Sequence, residues 1–166
     1  MWPFVLEPAI GEYDDPFNQS QALLTVPLSR DGNCLVYGST GNGKTTFLTT
    51  LCYQLIRHHS PEEVNLYIVD FGSETLKAFE KAPQVGGVVL AAEEEKMINL
   101  LKLLKKEIDA RRLLFSDYGG DYASYVRTGH TDKPNIVVML NNFSVFTELY
   151  EDYQDDFMIL SRDGVK

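Results

Sequence analysis

Hydrophobic and polar positions follow two rhythms along this chain. Short unbroken apolar runs at residues 33–37, 66–70, Val85–Leu90 and 136–140 are bounded by glycine, proline and polar residues, the pattern of strands buried on both faces. A shorter run at 23–26 reads as a further strand after an irregular start. Residues 44–59 instead place Phe47, Leu48, Leu51, Leu55 and Ile56 at helical spacing, and Ser60-Pro61 stops the helix. The longest predicted helix covers about 93–118, where Met97, Leu100, Leu101, Leu104, Ile108, Phe115 and Tyr118 form one apolar stripe. Glu93-Glu94-Glu95 opens it, Arg111-Arg112 lies near its end, and Gly119-Gly120 closes it, a charge order that suits the helix dipole. A short helix at 76–82 and a turn at 122–127 complete the pattern. Strands alternating with crossover helices predict an α/β fold, a mostly parallel sheet covered by helices on both faces. Parallel order is expected among 33–37, 66–70 and 136–140.

Composition narrows the function classes. The chain has 166 residues with 15 basic and 24 acidic side chains, a net charge of −9, which argues against it gripping nucleic acid. An apolar content of 44% with 23% charged residues fits one folded domain and excludes a disordered one. No apolar run approaches the roughly 18 residues needed to span a bilayer, so no direct membrane insertion is expected. Met1-Trp2-Pro3-Phe4 lacks the basic region of a secretory signal. Cys34 and Cys52 sit in apolar settings without a CxxC spacing, and read as reduced core thiols.

One motif carries chemistry. Gly38-Ser39-Thr40-Gly41-Asn42-Gly43-Lys44-Thr45 matches G-x-x-x-x-G-K-[ST], between a predicted strand and a predicted helix. The glycines let successive N–H groups turn inward on phosphate oxygens, and the helix adds its positive end. Lys44 is expected to neutralise the β- and γ-phosphates of ATP, Thr45 to ligate Mg²⁺, and Thr46 to reach the α-phosphate.

The catalytic half of such a site is missing where it is expected. A metal-holding acid should follow the strand at 136–140, and Asn141-Asn142 stands there instead. An amide is not a general base near neutral pH, so hydrolysis should be slow even with ATP bound. Asp70, at the end of another strand, is a second candidate for the metal. It can equally cap the turn Phe71-Gly72-Ser73, and turn chemistry leaves both readings open. His58, His59 and His130 are assigned no role, and Tyr118, Tyr122 and Tyr125 read as packing. Asp70-Phe71-Gly72 copies a kinase tripeptide without the partners a kinase requires.

Taken together, these stretches resemble the FtsK/SpoIIIE ATPase family, and within it the ATPase modules of type VII secretion proteins. The likeness rests on Gly11-Glu12-Tyr13-Asp14-Asp15-Pro16-Phe17-Asn18-Gln19-Ser20-Gln21 as a lead-in and on Gly38 through Thr45 as Walker A. It rests also on Val85-Gly86-Gly87-Val88-Val89 with the later helix segment Lys106-Glu107-Ile108-Asp109-Ala110-Arg111-Arg112, and on 134–143 as the Walker B strand. The resemblance implies a RecA/FtsK-like P-loop NTPase domain over 1–166, with 1–30 as lead-in and 31–166 as a nucleotide-binding core truncated at its carboxy end. It implies a later, Walker B-degenerate module of a membrane-anchored chain, at the cytoplasmic face of the membrane. The partners it implies are other ATPase modules of the same chain, small helical export substrates, and a homo-oligomer. In the family the Walker B strand ends in Asp-Glu, so that pair does not carry over to Asn141 and Asn142. The competing readings are an active ATPase using Asp70 or a neighbouring subunit's carboxylate, a DNA translocase, and an interaction domain without nucleotide.

Overall fold

Residues 5–165 are described by a computed structural model, so the first four residues of the lead-in lie outside the described residues. In chain order the elements are β1 (Ala9–Asp15), β2 (Ser20–Thr25), α1 (Leu28–Asp31), α2 (Lys44–His58), β3 (Val64–Asp70), β4 (Val85–Leu90), α3 (Glu94–Ser116), α4 (Tyr122–Arg127), β5 (Asn135–Asn141), α5 (Phe143–Leu149) and α6 (Gln154–Asp163). Short 3-10 turns at Thr75–Phe79 and Glu151–Tyr153 join them.

β3 is the centre of a three-stranded sheet ordered β4-β3-β5, and both of its pairings are parallel. Its alternating side chains feed two cores. Val64, Leu66 and Ile68 pack with Leu51, Cys52 and Leu55 of α2 on one face. On the other face Val69 packs with Met97, Leu100 and Leu101 of α3 and with Phe146 of α5. Helices therefore cover both faces, which is why β3 reads as an unbroken apolar run. The expected α/β class and parallel order hold for the strands at 66–70, Val85–Leu90 and 136–140.

α3 starts where Glu93 turns back on the strand before it, its Oε2 accepting the N–H of Leu90 at 2.9 Å. That backbone hydrogen bond also lowers the carboxyl pKa of Glu93. The apolar stripe faces the sheet as expected, but Arg111 and Arg112 do not lie in the last turn. Arg111 instead pairs with Glu107 at 2.7 Å, and Arg112 reaches Asp163 on α6 at 3.0 Å. The three tyrosines do pack: Tyr118 meets Tyr125 edge-on, and Tyr125 stacks on His130. The Tyr125 hydroxyl donates to Asp132 at 2.6 Å, which pushes the phenol up to about 12 and lowers the Asp132 carboxyl.

Three expectations need correction. The run at 23–26 belongs to β2, and β2 pairs antiparallel with β1 in a separate hairpin instead of joining the main sheet. Helix 76–82 is only the 3-10 turn Thr75–Phe79. Residues 33–37 form no strand: no described strand offers them a ladder, β5 lies at the sheet edge, and Leu35 and Tyr37 are 78% and 88% exposed. An extended apolar run without a neighbouring strand stays an unpaired loop.

The two cysteines part company for the same reason. Cys52 is sealed under α2 and its thiol is pushed up to about 12 by burial, whereas Cys34 lies exposed in the unpaired run, contrary to its reading as a core thiol. A neutral thiol reagent should modify one thiol of the native chain promptly and the second only in denaturant. Two fast-reacting thiols would contradict the packing of α2.

Candidate functional site

The motif residues gather at the amino end of α2. Gly41 and Gly43 have φ of +85° and +79°, and no atom stands within 4 Å of a Cβ added at either, so the requirement for glycine is conformational. Gly43 in the left-handed region is the N-cap of α2, and its carbonyl accepts the N–H of Phe47 at 2.8 Å. The N–H groups of Lys44, Thr45 and Thr46 lie in the first turn, where a helix has no internal acceptor, and no side chain caps them. These donors, added to the helix dipole, form a concave positive end suited to an oxyanion.

Lys44 folds over the loop. Its Nζ donates to the carbonyls of Gly38 at 2.7 Å and Ser39 at 2.9 Å, placing the ammonium across the loop from the helix N–H groups. Asn42 N–H donates to Ser39 at 3.3 Å and closes the turn between them. Thr45 is half-buried, whereas Ser39, Thr40, Asn42 and Thr46 are exposed. The approach to the loop is tied at its start: Asn33 Nδ2 donates to the Ser161 carbonyl of α6 at 2.7 Å, and Gly32 turns at φ +75° beneath Val165.

The two asparagines stand at the carboxy end of β5, beside the end of β3. Asn141 is 7% exposed and its backbone pairs in register with Asp70. Its Nδ2 donates to Asp70 Oδ1 at 2.8 Å. The same Oδ1 accepts Gly72 N–H at 3.1 Å, and Oδ2 accepts Leu76 N–H at 3.0 Å. Asp70 is 0% exposed, so its carboxylate builds the turn, caps the 3-10 segment and holds Asn141 at once. Asn142 has φ +70°, serves as N-cap of α5, and donates through Nδ2 to the Phe71 carbonyl at 3.4 Å. Asparagine tolerates this backbone better than glutamate does.

Magnesium prefers near-octahedral oxygen coordination, usually with one or two carboxylates. The residues here do not fit a protein-held magnesium: Thr45 offers a single hydroxyl, Asn141 and Asn142 carry no charge, and both oxygens of Asp70 are spent on N–H donors. Among the described residues no cluster of three or more His, Cys, Asp or Glu could hold a metal. Two of the histidines have packing or pairing roles, since His130 packs on Tyr118 and Tyr125 and His59 lies 3.8 Å from Glu63. Of the two readings of Asp70, the cap on the turn Phe71-Gly72-Ser73 is the one its bonds fit, whereas its bonds to Leu76 and Asn141 were missed by sequence reasoning.

Known proteins are similar to this chain in sequence and fold. The model of the FtsK/SpoIIIE family matches residues 5–154. The type VII secretion system protein EssC of Staphylococcus aureus (strain NCTC 8325 / PS 47) is 30% identical over 154 residues, 89% of this chain and 10% of its own length. The ESX secretion system protein YukB of Bacillus subtilis (strain 168) is 30% identical over 152 residues, 91% of this chain and 10% of its own. The chain thus spans about a tenth of these relatives. Among solved structures, ATPases 2 and 3 of Thermomonospora curvata EccC, in complex with a signal sequence peptide, superpose with a TM-score of 0.87 at 27% identity, over 99% of this chain and 31% of that one. ATPases 2 and 3 of EssC from Geobacillus thermodenitrificans superpose with a TM-score of 0.86 at 28% identity, over 99% and 32%.

The left-handed backbone at position 142 is open to test. Asn142→Gly and Asn142→Ala both remove the bond to Phe71, so the difference between them reports the backbone alone. Urea unfolding should find the glycine variant more stable by about 1 kcal/mol. Equal stability would contradict the geometry.

Proposed function

The chain belongs to the FtsK/SpoIIIE family, and on that premise we propose that it is an ATP-binding module of a type VII protein-secretion motor that holds its nucleotide with little or no hydrolysis. The observation that carries this reading is the contrast between the two ends of the site. The loop before α2 keeps every feature a triphosphate needs, namely uncapped helix N–H groups, glycines at positive φ and a lysine folded across the loop. The strand ends that should hold a metal and activate water carry Asn141 and Asn142.

In this reading Gly38, Ser39, Thr40, Gly41, Asn42 and Gly43 surround the phosphates with backbone N–H groups. Lys44 exchanges its two loop carbonyls for the β- and γ-phosphates, and Thr46 reaches the α-phosphate. A Mg²⁺ ion that arrives on the triphosphate meets Thr45 and no protein carboxylate. Asp70 is a poor substitute, because its carboxylate is fully buried and already accepts three hydrogen bonds. Bound ATP then serves as a structural ligand, stabilising the folded module in proportion to its occupancy. Residues 1–30 are the lead-in and 31–166 the nucleotide-binding core.

The relatives support a setting for this module. EccC and EssC were solved with ATPases 2 and 3 together, and the EccC structure holds a signal sequence peptide. By that analogy the partners of this chain are other ATPase modules of one membrane-anchored parent, further copies in an oligomer, and small helical export substrates, all at the cytoplasmic face of the membrane. No helix among the described residues is long and apolar enough to cross a membrane.

Calorimetric titration with ATP–Mg²⁺ tests the binding claim. Lys44→Ala should weaken binding by about 1.5–3 kcal/mol, the contribution of a charge-assisted hydrogen bond. Equal affinity in the two proteins would overturn the assignment. Phosphate release by the purified chain should stay near background. Turnover of about one per second that vanishes in Lys44→Ala would defeat the silent reading, since a lost general base commonly removes about 10²–10⁴ in rate. If Asp70→Ala also abolished that turnover while ATP binding persisted, Asp70 would take the metal role.

A further inference from the structure

Asp70 and Asn141 meet on the last rung of the β3–β5 ladder, and their side chains hydrogen-bond at 2.8 Å where both residues are buried. Every donor that reaches the Asp70 carboxylate is an amide: Asn141 Nδ2, Gly72 N–H and Leu76 N–H. No lysine, arginine or histidine pairs with it among the described residues. Asn141 is also pinned. Its carbonyl accepts the N–H of Phe71 at 3.1 Å, and a Cβ added to Gly72 would come within 2.7 Å of its Nδ2. Neither side chain can swing aside without breaking the turn that follows β3.

We propose that this pair is a charge lock on the strand ends beside the phosphate-binding loop. The site admits one carboxylate, that carboxylate stands on β3, and position 141 on β5 must be a neutral amide donor. An acid at 141 can therefore be installed only when Asp70 is neutralised with it. Aspartate has the shape of asparagine, so Asn141→Asp alone leaves the packing unchanged but sets oxygen against oxygen where an N–H now meets an oxygen. Two like charges then share a space poor in water, and Asp70 Oδ1 loses a donor. Asp70→Asn made together with Asn141→Asp reverses the polarity of the same hydrogen bond: the amide at 70 donates, the carboxylate at 141 accepts, and the oxygen of the amide at 70 still accepts the N–H of Leu76, while the N–H of Gly72 loses its acceptor. Asp70 thus dictates which side chain position 141 can carry. This deepens and rests on the reading of Asn141 as the replaced metal acid, and it predicts that a single substitution there does not recreate one.

The test is thermal unfolding near neutral pH, without nucleotide, of the parent chain, N141D, D70N and D70N/N141D. The N141D midpoint should fall by about 5–10 °C, as expected for a few kcal/mol in a chain of this size. The double variant should recover at least half of that loss and lie above the sum of the two single effects. An N141D midpoint within about 1 °C of the parent, or a double variant no more stable than N141D, overturns the lock. If N141D does not fold, a folded double variant supports the lock and an unfolded one overturns it. Because nucleotide is absent, the lock can fail while ATP binding stands, and ATP binding can fail while the lock stands.

Discussion

The buried carboxylate of Asp70 is the constraint on which the functional end of this molecule depends. One fully buried anionic side chain satisfies a turn N–H, an N–H in the first turn of a 3-10 segment and the amide of a residue 71 positions away in sequence. Leaving such a group unpaired costs several kcal/mol, so the three donors are obligatory. They fix Phe71, which stacks on Tyr150, and through it the aromatic packing of α5 and α6 on the outer face of the sheet. The strand ends of a parallel sheet are where α/β proteins place their ligand chemistry. Here those ends are committed to holding the structure together, with the amide of Asn141 donating to the carboxylate of Asp70.

The other side of the site is built on the opposite principle. The loop from Gly38 to Gly43 is exposed, rich in glycine and held chiefly by Lys44 bonding back onto it. Its anchors are α2, buried against β3, and the contacts of Asn33 and Gly32 with the end of α6. A loop tied at both ends and open in the middle can close around a triphosphate without disturbing the sheet. In the proposed reading the two halves of the site divide the work, with affinity on the loop and rigidity at the strand ends.

Much of this was legible in the sequence because burial on both faces writes itself as unbroken apolar runs. β3, β4 and β5 lie within two residues of their expected bounds, and so does α2. Residues 33–37 show where the rule stops: the run states what the side chains prefer to bury against, and only the fold supplies a neighbour, which is absent among the described residues. Cys34 followed that error into the open. The hairpin of β1 and β2 was half missed because its strands are largely exposed and show no clean alternation. The motif residues stand at the amino end of α2 as the pattern predicts, since glycine spacing reflects backbone requirements that hold in any fold. Asp70 was left between turn and metal, because the bond to Asn141 depends on strand register, which no local pattern reveals.

The central claim is that this chain keeps ATP intact. The most direct measurement is a single-turnover experiment: an excess of protein over radiolabelled ATP with Mg²⁺, quenched at intervals and separated by chromatography. The account predicts that the bound nucleotide remains ATP for many minutes, and that Lys44→Ala retains little nucleotide at all. Conversion of bound ATP to ADP within seconds would contradict it.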